Sequence, residues 1–110
     1  MGLFERRRFA ALSRSERRQE VDDVRRHLEE FARTRVGVEA FVEPRTTVTP
    51  STVLLVASSG EWTRRRVADP KIVQRLAQQL RVPVYDVRLV GYPRRMREWN
   101  ERNRPDAAGA

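Results

Sequence analysis

The sequence predicts an α+β fold, and three observations carry that prediction. Apolar residues recur at helical spacing over 14–35, where Val21, Val24, Leu28 and Phe31 lie three, four and three apart. Strand-like patterning occupies a separate block, 38–67, interrupted by the turn signal Ser58-Ser59-Gly60. A length of 110 residues suits one small domain, here expected over 13–103.

Each element follows from local signals. Residues 1–12 read as a basic arm that also carries Leu3, Phe4, Phe9 and Leu12. Ser13 and Glu16 have the spacing of a capping box, which starts a long helix from about residue 14 to 35 with Gly37 as its stop. Opposite charges four apart lace this helix: Arg18 with Asp22, Asp22 with Arg26, Arg25 with Glu29, Arg26 with Glu30, and Glu29 with Arg33. Residues 38–43 alternate, with Val38, Ala40 and Val42 on one face and Glu39, Phe41 and Glu43 on the other, and Pro44 ends the strand.

A β-hairpin over about 52–67 is expected next, inside a small and mainly antiparallel sheet. Val53 to Ala57 is apolar on both faces, as a central strand should be. Asp69-Pro70 supplies a cap and a first-turn proline for a helix over 70–80 that packs on the sheet through Ile72, Val73, Leu76, Ala77 and Leu80. Beyond Leu80, Val82-Pro83-Val84-Tyr85 is either a strand returning to the sheet or the turn between two helices. Pro93 then starts a basic C-terminal helix, and 104–110 reads as a disordered tail.

Charge is the main functional signal. Twenty-two arginines and the single Lys71 face fifteen acids, a net charge of +8. Such an excess favours polyanions, because each neutralised phosphate releases a counterion. GC-rich base composition would produce the same preference for arginine over lysine, so only the net charge and its placement bear on function. Residues 61–110 hold twelve of the cations against six acids. There, Trp62, Arg64 and Arg66 fall on one face of a strand, an arrangement that can stack a base and hold phosphates. The plainer reading is an edge strand guarded by charge, with Trp62 covering the core. Arg94, Arg95 and Arg97 crowd the start of the last helix, as phosphate contacts or as a solvated face around Met96 and Trp99.

The stretch from Ile72 to Val90 resembles the helix-turn-helix of DNA-binding proteins. Ala77 matches the small residue that lets the two helices approach, and Leu76, Leu80, Val82, Val87 and Val90 match the internal apolar positions. The resemblance implies that Tyr85 and Arg88 face a major groove. Arg81 stands where the turn glycine is usual.

Other classes find little support. With no cysteine, disulfides, thiolate nucleophiles and cysteine metal sites are excluded, and a reducing cytoplasm fits. No apolar run reaches membrane-spanning length, and the N-terminus does not read as a signal peptide. His27 is the lone histidine, Ser58 and Ser59 have no base nearby in sequence, and the five glycines form no phosphate-binding loop. No enzyme, cofactor or metal is therefore expected. The favoured expectation is a small non-catalytic protein that contacts nucleic-acid backbones through 61–104, using Trp62, Arg64, Arg66, Arg88, Arg94, Arg95 and Arg97. The alternative is an adaptor whose Val21, Val24, Leu28 and Phe31 seam pairs with a protein partner or a second copy. A third is a helix-turn-helix regulator over 72–90.

Overall fold

A computed structural model describes residues 13–67 and 69–105. The expected arm at 1–12 and the tail from 106 onward lie outside the described residues. The elements run α1 (Arg14–Thr34), β1 (Glu39–Glu43), β2 (Thr52–Val56), β3 (Trp62–Arg66), α2 (Pro70–Leu80), β4 (Val84–Asp86), α3 (Val87–Val90) and α4 (Arg94–Arg102). The sheet order is β3-β2-β1-β4, antiparallel except where β4 joins β1 in parallel. This is the α+β architecture expected, with the hairpin in its predicted place.

α1 begins with the capping box that its sequence encodes. The Ser13 hydroxyl accepts from the Glu16 N–H at 3.1 Å, and the Glu16 carboxylate accepts from the Ser13 N–H at 3.2 Å. Of the expected pairs four apart, Glu29–Arg33 forms at 3.9 Å, while Arg26 turns to Asp23 at 2.6 Å instead. At its other end Arg35 clamps Glu61 through two hydrogen bonds and lies over the Phe31 ring, which ties the helix to the start of β3.

The two sheet faces are covered differently. Ala40, Val42, Val53 and Leu55 point to the first face, where Leu28 and Phe31 of α1 and Val73 and Leu76 of α2 complete the main core. Phe41, Leu54 and Val56 point to the second, where they cluster with the buried Met96 of α4 and the partly buried Trp62 and Val87.

Two expectations need correction here. The Val21, Val24, Leu28 and Phe31 seam is not free for a partner: Leu28 is 3% exposed and Phe31 4% in the chain's own core, Val24 packs beside them, and Val21 is half-buried. The seam is narrow because residues 13–19 extend into solvent and only the later turns of α1 meet the sheet. The helix-turn-helix also does not form. Arg81 closes α2 in the left-handed conformation, with φ 58°, and the Val82 N–H returns to the Ala77 carbonyl at 2.8 Å. The chain then pairs Val84–Asp86 with Ala40–Val42. α3 is a single four-residue turn with no buried side chain, so it cannot pack as a recognition helix.

The hairpin turn is also the seat of α4. Gly60 has φ +94°, and a Cβ there would lie 2.1 Å from the Arg95 carbonyl oxygen. Gly60→Ala is therefore expected to lift α4 from the sheet and cost at least about 1–3 kcal/mol, read as a lowered urea midpoint. Leu28→Ala should cost about 2–5 kcal/mol while leaving sedimentation behaviour unchanged; a shift in oligomeric state without lost stability would restore the seam as an interface.

Candidate functional site

Two carboxylates on β1 decide what the basic residues can do. Glu39 and Glu43 stand on the second face on either side of Phe41, because strand side chains alternate. Glu43 Oε1 accepts from the Thr52 hydroxyl at 2.6 Å and from Arg64 Nε at 2.7 Å. Its Oε2 accepts from Arg64 Nη2 at 3.1 Å and from the Tyr92 hydroxyl. Glu39 accepts from Arg95 Nη2 at 2.6 Å and from the Tyr85 hydroxyl at 3.1 Å. Arg95 also donates to the Ala57 carbonyl at 2.9 Å. Four residues from β3, β4 and the α3–α4 segment are thus fastened to one strand.

This network corrects part of the expected phosphate-binding set. Arg64 and Arg95 are committed to internal ion pairs with Glu43 and Glu39. Trp62 is not an open stacking platform: it packs beside the Phe41, Leu54, Val56 and Met96 cluster, donates to Asn100 at 2.7 Å, and has the Arg64 guanidinium 5.1 Å from its ring centre. Arg66 shares the face of Trp62 and Arg64 and is exposed. Arg94 is exposed and pairs with Glu98, and Arg97 is exposed without an ion pair among the described residues. Arg88 is exposed, forms a fork with Asp86, and lies away from the α4 arginines on α3.

The protonation states follow the same contacts. Burial works against the Glu43 carboxylate, but hydrogen bonds from Arg64, Thr52 and Tyr92 outweigh it and hold its pKa below the ordinary value of 4.5. The bond to Glu43 pushes the Tyr92 phenol up, and the bond to Glu39 does the same for Tyr85. Burial, aided by the charge of Arg65, lowers the His27 pKa; its Nε2 lies 3.2 Å from the Thr63 hydroxyl. His27 is a half-buried boundary residue. Among the described residues no group of three or more His, Asp or Glu side chains is placed to hold a metal ion.

Three other cations, Arg45, Lys71 and Arg75, line open grooves on another part of the surface. Where β1 and β4 end side by side, the chain opens into a groove of about 770 Å³, lined among others by Arg45, Thr46, Ser51, Gln74, Asp86, Arg88 and Leu89. A second open groove of about 460 Å³ adjoins it, lined by Lys71, Gln74, Arg75, Gln78, Val82 and Val84. Gln74 and Val84 line both, so the two form one strip between the outer face of α2 and the β4 edge. Among the described residues Arg45, Lys71 and Arg75 make no ion pair, and Asp86 is the one acidic residue lining either groove. Thr46 holds the rim loop: its hydroxyl accepts from the Val48 and Thr49 N–H groups, and its own N–H donates to the Thr49 carbonyl. Ser51, 1% exposed, lines the floor with a hydroxyl that has no partner among the described residues.

The sequence reading passed over Arg45, Lys71 and Arg75. A signal was present in the Lys71–Arg75 spacing of four, which places both on one face of α2. Nothing local joins Arg45 to them; it lines the first groove and they line the second, and Gln74 and Val84 are common to both. Compared with known proteins, the chain matches no protein-family model, no curated protein and no solved structure.

Because Glu43 has a depressed folded pKa, its contribution to stability is complete above 4.5 and is lost as pH falls through the folded value. Glu43→Gln is expected to cost about 1–3 kcal/mol at neutral pH and clearly less near about pH 3, measured by urea unfolding. An equal cost at both values would show that the charge of Glu43 contributes nothing.

Proposed function

We propose that this protein binds nucleic acid without catalysing a reaction, and that it holds the phosphate backbone along the strip formed by Arg45, Lys71, Arg75 and Arg88. The observation that supports this most is the segregation of charge. Arg64 and Arg95 on the second sheet face are locked to Glu43 and Glu39, whereas three of the four strip cations have no ion pair among the described residues. An open groove lined by cations with low-dielectric walls raises the local concentration of a polyanion. Gln74, Gln78 and Thr46 add donors that suit phosphate oxygens.

The proposed contacts keep Arg88 from the expected set and replace Arg64 and Arg95 with Arg45, Lys71 and Arg75. Phosphate contact is the natural role because these side chains reach a backbone without a helix placed to read base edges. The adaptor reading loses the seam on which it rested, since Leu28 and Phe31 are core residues. No helix of the described residues is long and apolar enough to cross a membrane. We place the proposed activity in the cytoplasm, the setting that suits a chain without cysteine.

Binding should weaken with salt along a log–log slope of about −2 to −4, for three or four phosphate contacts on a single strand or a duplex. Arg45→Ala, Lys71→Ala and Arg75→Ala should each reduce that slope by about one, while Arg18→Ala on α1 should leave it unchanged. Fluorescence anisotropy with a labelled oligonucleotide over a salt series reads this directly. A triple variant that keeps the parent's slope and affinity would overturn the assignment.

A further inference from the structure

Resting on the proposed polyanion strip, we infer that its ligand is a single strand whose bases lie on the 85–92 segment, rather than a duplex. The observation behind this is exposed apolar surface in the basic groove itself. Leu89 is 85% exposed, and it lines the groove together with Arg45, Arg88 and Tyr85, which is itself 36% exposed. Val90, at 55%, and Tyr92, at 44%, continue the same stretch of chain. A duplex turns its base faces inward and offers charged backbone to such a ledge, so the apolar side chains would lose water without gaining a partner. A single strand offers a phosphate to each cation and an apolar base face to each ledge residue, and the sequence tolerance of stacking makes this a general mode.

The rings are also set before binding. Tyr85 leans on Phe41 with centroids 5.3 Å apart, and its hydroxyl is bonded to Glu39. Tyr92 is held through its hydroxyl by Glu43 on the second sheet face, outside the residues that line the two grooves. Side chains fixed in this way lose little freedom when a base packs on them.

The test compares the whole chain on a fluorescent single-stranded oligonucleotide and on the same sequence as a duplex, at about 50 mM salt where counterion-linked binding is strong. The single strand is expected to bind about tenfold more tightly. The double substitution Leu89→Ser with Val90→Ser should weaken single-strand binding by about fivefold and leave duplex binding and the salt slope unchanged. Both residues are exposed, so a thermal melt should show the fold retained. Duplex binding as tight as single-strand binding, or a folded double variant with unchanged affinity, overturns this inference and leaves the polyanion strip standing. Binding to neither form overturns the strip and the inference together.

Discussion

The ion pairs that Glu39 and Glu43 make on the second face of the sheet organise the rest of the molecule. α1 and α2 cover the first face with a continuous apolar core. The second face has a thinner cover, for α4 contributes Met96 as its one fully buried side chain. Polar anchors make up the difference. Arg95 and Tyr92 reach down from α4 and the turn before it, while Arg64 and Tyr85 come from the strands on either side of the β2–β1 pair. A partly buried carboxylate with two or more donors is stable in place, yet removing one partner leaves an expensive unpaired charge. The second layer is therefore held by geometry as much as by apolar area, and its members depend on one another.

That constraint sorts the arginines. A count of cations treats all of them as equal, but the fold divides them by proximity to carboxylates. Arg35, Arg64 and Arg95 are bound to Glu61, Glu43 and Glu39 across long stretches of sequence and act as ties. Arg26 and Arg94 are balanced within their own helices. Arg45, Lys71, Arg75 and Arg97 face solvent without an ion pair among the described residues, the first three along the two grooves. A net charge of +8 is thus a poor guide to the working surface, since Glu61, Glu43 and Glu39 each engage one particular arginine.

Much of the architecture was legible because its signals are local. Ser13 and Glu16 cap α1 within one turn, Ser58-Ser59-Gly60 reverses the hairpin, and Asp69 caps α2 through the Lys71 N–H, just as residue types and spacing suggest. What escaped was non-local. The carboxylates of Glu39 and Glu43 looked like the outward face of a half-buried strand, and their partners lie up to 56 residues away. Arg64 and Arg95 had the right residue type and spacing for phosphate contact; only the pairing of strands shows that carboxylates already hold them. The seam of α1 was read correctly as apolar, but periodicity does not say whether a stripe meets the chain's own sheet or another protein.

The fate of residues 82–90 shows why the groove exists at all. Val82-Pro83-Val84-Tyr85 was open to two outcomes, and the competition was between a helical turn and an open sheet edge. Ala40 and Val42 offered that edge, and the Pro83 carbonyl accepts the Ala40 N–H at 2.9 Å as the first rung. Proline at 83 loses nothing there, because it precedes the paired residues and supplies only its carbonyl. The choice of strand makes β1 and β4 parallel, so both end at the same side of the sheet. From there one runs into the Thr46-stapled loop and the other into α3. Chains that leave neighbouring parallel strands in different directions must open a crevice between them, the arrangement that places ligand sites at strand ends in open sheets. The sequence feature that weakens the helix-turn-helix resemblance, a strand-forming Val-Pro-Val-Tyr, is therefore the same one that brings Arg45 beside Arg88 and sets Leu89 at their side.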